Sequence, residues 1–143
     1  SHFPWIIEDV ELGKTINDKE GIKRIVLCTG QVYTTLHKKR QDLDNKDTAF
    51  IKIEQLHPFP FAQLRDAIKS YPNVTDLVWC QEEPLNMGAW AYVQPRILTT
   101  LEEAQSDLKL RYCGRDPSAS VATGSKHMHL AEIEAFTDDV FQV

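Results

Sequence analysis

Glycine is scarce in this sequence, six residues in 143, and none of the glycine patterns that cradle a diphosphate is present. There is no GxGxxG to let a backbone approach a dinucleotide and no GxxxxGK[ST] phosphate loop. Thr29-Gly30-Gln31, a turn placed after a strand-like run, holds a single glycine, too little for a pyrophosphate cradle. The GxSxG elbow is missing as well, so Ser118 and Ser120 are not presented as hydrolase nucleophiles. Only three cysteines occur, Cys28, Cys80 and Cys113. They form no CxxC pair, their odd number fits a secreted disulfide framework poorly, and each lies in an apolar run, so they read as small buried core thiols. Basic charge is also short: 16 Lys and Arg against 21 Asp and Glu give a net charge of −5. With no basic stripe, this argues against a general nucleic-acid or anionic-membrane surface. No apolar run approaches the roughly 20 residues that cross a bilayer, and no basic leader with an apolar segment opens the chain. Ser1 leads straight into Phe3-Pro4-Trp5-Ile6-Ile7, which reads as an internal cut point in a longer polypeptide whose targeting peptide is missing.

What is present is a regular alternation of strand-like and helix-like patterns, with a hydrophobic content of 42% that suffices for one core. Strands are predicted at 24–29, 49–54 and 77–80 as short apolar runs, and at 108–113 as an alternating edge strand. Helices are predicted after Gly30, over 61–68, from Gly88 to about Leu101 with a kink or break at Pro95, and over 127–141. Pro60 suits the first turn of the second helix. Strands alternating with helices require right-handed crossovers and a mainly parallel sheet covered on both faces, a three-layer α/β/α sandwich. Residues 4–8 offer a further strand. Residues 1–23 are expected to form that N-terminal strand and a polar linker, Glu11 to Gly21 being the linker-like part, and residues 24–143 the domain proper.

In open parallel sheets ligands bind beyond the carboxyl ends of the strands, where strand order reverses. That edge gathers Thr29-Gly30-Gln31, Glu54-Gln55, Gln81-Glu82-Glu83 and Arg115. Glu82 and Glu83 are adjacent acids of a kind that can do acid–base work, yet their place ahead of a helix favours capping its N–H groups. Trp90 is read as core or domain interface. His127 and His129 are two apart on a helix and point away from each other, which disfavours a joint metal site with His57. The stretch from Gly114 to Gly124 combines a guanidinium, serine and threonine hydroxyls and flanking glycines ahead of a helix. Arg115, with Ser118, Ser120 and Lys126 adding donors, can hold a ligand phosphate; equally, Arg115 can clamp Asp116 or a carboxylate of a neighbouring domain.

Three blocks, Ile53-Glu54-Gln55-Leu56-His57-Pro58-Phe59-Pro60, the run from Trp79 to Trp90, and Gly114 to Gly124, resemble in type and order the C-terminal domain of 2-oxoglutarate dehydrogenases. The likeness runs from about Arg24 to the end. It implies a transketolase C-terminal-type domain with a five-stranded mixed sheet whose first strand is antiparallel. It also implies an oxidoreductase of the citric acid cycle that uses thiamine diphosphate and Mg²⁺ to decarboxylate 2-oxoglutarate and succinylate the lipoyl arm of dihydrolipoyl succinyltransferase, with dihydrolipoyl dehydrogenase as third component. Such enzymes are homodimers in a multienzyme complex, located in the mitochondrial matrix in eukaryotes and in the cytoplasm otherwise. Their diphosphate and metal motif, GDG followed by an asparagine, has no counterpart here, so this chain alone is expected to be inactive, without catalytic, cofactor-binding or metal residues. Bacterial relatives bind acetyl-CoA in this region as an allosteric activator. On that basis Arg115, Ser118, Ser120 and Lys126 are candidates for the effector's phosphates, whereas Lys52 stands where relatives commonly carry arginine. A domain of the related 2-oxoadipate dehydrogenase, or a free-standing α/β module binding a phosphorylated small molecule or a protein, is the alternative.

Overall fold

The computed structural model describes residues 5–115 and 126–142. The apolar runs become strands because each is buried on both faces. β2 (Arg24–Cys28) is buried throughout and forms the middle of the sheet, and β3 (Thr48–Ile53) and β4 (Asp76–Pro84) pair with it in parallel on either side. β5 (Leu110–Arg115) extends the sheet beyond β4, and the two-residue β1 (Ile6–Ile7) runs antiparallel on β3, giving the order β1-β3-β2-β4-β5. The mixed five-stranded sheet with one antiparallel strand and an edge strand at β5 agrees with the expectation.

Period-two alternation divides the core into two. Ile25, Leu27, Ile51, Leu77 and Trp79 point to one side, where α2 (Phe61–Lys69) and α3 (Trp90–Glu103) cover them with Leu64, Ile68, Val93 and Ile97. Val26, Cys28, Phe50, Val78, Cys80 and Cys113 point to the other, under α1 (Gly30–Leu43) and α4 (Lys126–Phe141), which contribute Val32, Leu36, Phe136 and Val140. The three layers follow.

Residues 5–23 pack against the same sheet. Ile16 and Ile22 join the larger core, and a single 3-10 turn spans Lys19–Gly21. Asp9 is buried against Arg40 of α1 at 2.5 Å and also accepts the Phe50 N–H, while Arg40 donates to the Thr48 carbonyl. The charges therefore have compensating partners on both sides.

Three expectations need correction. β4 does not stop at Cys80 but continues through Glu82 and Glu83 to Pro84, which pairs with Arg115 after a register shift. α3 starts at Trp90 instead of Gly88, because Gly88 takes a φ of +69° that belongs to a turn. Pro95 does not divide α3, which is continuous from Trp90 to Glu103. The bond it cannot donate would go to the Ala91 carbonyl, and both residues lie on the exposed face.

Candidate functional site

The connections after β2 and β4 leave on opposite faces of the sheet, towards α1 and α3, so the carboxyl ends of these neighbouring strands flank the topological switch point. α1 begins directly at Gly30, with Thr29 as N-cap and no side-chain capping bond. Lys52, at the end of β3, sits 4.6 Å over the Tyr33 ring and 3.5 Å from Glu54, so its charge is already engaged by α1 and by the residue that follows its own strand. Exposed His57 packs on Tyr92 in a tilted arrangement, with ring centroids 4.2 Å apart.

The centre of this edge is Gln81, 2% exposed. Its Oε1 accepts the Trp79 indole N–H at 2.9 Å and the backbone N–H of Trp90 at 3.1 Å. Its Nε2 donates to the carbonyls of Glu83, Pro84 and Met87. One amide thus ties the end of β4, the turn that follows and the first residue of α3 together. The N–H of Trp90 at the start of α3 is capped by Gln81, whose amide donates to the turn at the same time, which a carboxylate could not do. Close packing fixes two glycines nearby. A Cβ on Gly88 would lie 3.2 Å from Gln81 Nε2 and from the Glu83 side chain, and one on Gly114 would lie 2.7 Å from the Gln81 carbonyl oxygen and press on the Tyr112 hydroxyl. Gly114 is therefore a strand residue of β5 and not the boundary of a loop. Trp90 is partly buried against the larger core, its ring 5.1 Å from that of Tyr112. Burial pushes the Tyr112 phenol up to about 12, so it is neutral and acts as a hydrogen-bonding group.

Arg115 closes β5 opposite Pro84 and is 6% exposed. Its Nε donates to Glu132 Oε2 of α4 at 2.6 Å. The sequence does not single out Glu132 as the partner of Arg115: a buried guanidinium needs an anion, and an acidic residue on the following helix is one of several that could supply it. Ser118 and Ser120 lie outside the described residues, as does the side chain of Lys126, the residue that opens α4. The structure thus places Arg115 at the carboxyl edge and brings it together with Glu132.

The three cysteines are free and buried. They are register neighbours, Cys28 beside Cys80 and Cys80 beside Cys113. Burial pushes the Cys28 thiol up to about 12 and that of Cys113 to about 11, and raises Cys80 as well. They are inert core groups. Among the described residues no three His, Cys, Asp or Glu side chains converge on a position for a metal ion.

A family model described as 2-oxoglutarate dehydrogenase C-terminal matches residues 1–141. The chain is 66% identical over 98% of its length to the mitochondrial 2-oxoglutarate dehydrogenase of Saccharomyces cerevisiae, and 48% over 96% to that of Schizosaccharomyces pombe. It is 40% identical over 98% of its length to the 2-oxoglutarate dehydrogenase E1 component of Cupriavidus necator. It spans 14% of the length of each of these relatives. With the family model matching nearly the whole chain and relatives of this identity covering almost all of it, this chain belongs to the 2-oxoglutarate dehydrogenase C-terminal family.

Proposed function

We propose that the chain is the C-terminal structural and regulatory domain of a 2-oxoglutarate dehydrogenase, the first component of the complex that decarboxylates 2-oxoglutarate and succinylates a lipoyl group. The observation that carries this reading is 66% identity over nearly the whole chain to an enzyme of that name. In the full-length protein the domain belongs to a homodimer that works with dihydrolipoyl succinyltransferase and dihydrolipoyl dehydrogenase. The two yeast relatives are mitochondrial, which favours the matrix. Residues 1–23 then lead in from preceding domains, and those described among them complete the core of the domain formed by 24–143.

Thiamine diphosphate, with Mg²⁺, supplies the decarboxylation chemistry of such an enzyme. The residues here do not fit either group: the GDG motif is missing, and the described acids, histidines and cysteines do not converge on a metal position. Those groups are held by other domains. The contribution of this chain is a rigid carboxyl edge, with Arg115, Ser118, Ser120 and Lys126 as the residues that meet the phosphates of an effector such as acetyl-CoA. A buried guanidinium at the end of an edge strand, facing a helix, supports that role.

The test compares full-length wild type with Arg115→Ala for 2-oxoglutarate turnover with and without acetyl-CoA, and follows dimerisation alongside. Activation of the wild type that is lost in a dimeric variant is the expected result. Failure of the wild type to respond, or collapse of the variant into inactive monomers, makes Arg115 an interface clamp and ends the phosphate reading.

A further inference from the structure

Arg115 and Glu132 bracket 116–125 in sequence and join the end of β5 to α4. Their exposures differ. The Arg115 side chain is 5% exposed, whereas that of Glu132 is 27% exposed. A guanidinium this buried must keep an anion beside it, because an uncompensated charge out of water is strongly unfavourable. Glu132 supplies an anion at Nε, and of the two partners it is the one that water reaches and that can turn outwards.

Carboxylate and phosphate oxygens compete for the same guanidinium N–H groups. A phosphate arriving at Arg115 therefore exchanges with Glu132 at Nε instead of adding to an open cation. The Nε–H···Oε2 bond breaks, an Nε–H···O–P bond forms, and the Glu132 carboxylate is released to water. We propose that Glu132 is a resident competitor that stands in for the anionic ligand, and that this exchange uncouples the first turns of α4 from β5. The inference rests on the effector reading of Arg115 given above.

The experiment uses full-length enzyme at constant ionic strength. Calorimetric titration with CoA and with inorganic pyrophosphate is carried out on wild type, Glu132→Gln and Arg115→Ala, with hydrogen exchange of residues 126–141 read by mass spectrometry. Glu132→Gln removes the competing charge with almost no change of shape. Its Kd is expected to fall by roughly tenfold, the equivalent of one charge-assisted hydrogen bond that no longer has to be broken. Its ligand-free α4 amides should exchange as fast as those of liganded wild type. An unchanged or higher Kd in Glu132→Gln, with binding lost in Arg115→Ala, overturns the competitor and leaves the effector reading standing. Binding by Arg115→Ala equal to wild type, or no binding by any of the three, overturns both. Glu132→Ala should show the same direction as Glu132→Gln; loss of native circular dichroism in both makes the pair a structural clamp and also ends the proposal.

Discussion

Arg40 and Asp9 show how much a single buried contact can decide. Arg40 is 2% exposed, with Asp9 on one side and the Thr48 carbonyl on the other. Removing the cation alone leaves Asp9 buried and underpaired, so Arg40→Met is expected to lower unfolding free energy by about 3–5 kcal/mol, while the double replacement Arg40→Met with Asp9→Leu costs less. Urea unfolding of the full-length enzyme, with hydrogen exchange to localise the loss, checks this. The thiols give a prediction in pH. Unfolded cysteine ionises near 9.0, whereas burial holds Cys28 neutral to about 12 and Cys113 to about 11. Their raised folded values mean that the stabilising contribution is complete below pH 9 and is lost as pH rises towards those values. Native protein below pH 9 should therefore resist alkylation at all three cysteines until denaturant is added, and stability should decline above it; rapid native labelling of Cys28 would contradict the burial argument.

Within elements, the turn between β4 and α3 depends on Gln81. Gln81→Leu fills the same space but strands the Trp79 indole, the Trp90 N–H and the carbonyls of Glu83, Pro84 and Met87. A loss of about 2–4 kcal/mol is expected, since each unsatisfied buried group costs about 1–3 kcal/mol and some of these can turn to water. Near-ultraviolet circular dichroism of the tryptophans should change with it. Gln81→Glu should also destabilise, because a carboxylate cannot donate to three carbonyls. Here lies the boundary of what the sequence discloses. Buried strands, amphipathic helices and their order follow from periodicity, and β2, β3 and α2 fall within a residue of their predicted limits. Glu82-Glu83-Pro84 looks like a turn because two charges and a proline disfavour a central strand. It is nevertheless strand: Pro84 pairs with Arg115 of β5, and the side chain of Gln81, immediately upstream, donates to the carbonyls of Glu83 and Pro84. The same holds for Arg115: its place at a strand end is legible from local pattern, whereas its pairing with Glu132 depends on where α4 docks.

At the scale of the molecule the two faces of the sheet are unequal. Among the described residues the core under α2 and α3 is the larger and includes fully buried Trp79, while the face under α4 is sealed mainly by Phe136, Val140 and Phe141. α4 therefore relies on polar ties as well, and midway Lys39 of α1 reaches Glu134 at 2.7 Å and Asp138 at 2.6 Å. Near its start Glu132 meets Arg115, and at its finish Arg24 and Arg111 donate to the carbonyls of Gln142, Asp139 and Val140. Both of these guanidiniums are held by one carboxylate, Asp76, at 2.8 Å from Arg24 Nε and 2.8 Å from the Arg111 terminal nitrogen. Burial opposes ionisation of Asp76, but hydrogen bonds from Arg111 and Arg24 outweigh it and hold its carboxyl below the usual 3.8. Because the folded value is lowered, this stabilisation is present above that usual value and disappears as pH falls through the folded one. At neutral pH Asp76→Asn should mimic that loss, leaving two neighbouring guanidiniums without their shared counter-ion. Amides of 126–142 are then expected to exchange faster while those of β2 and β3 keep their protection, because the helix is released before the sheet opens. Equal acceleration throughout would mean that α4 and the sheet unfold as one unit, and a helix inseparable from the sheet could not relay an exchange at Arg115 by moving alone.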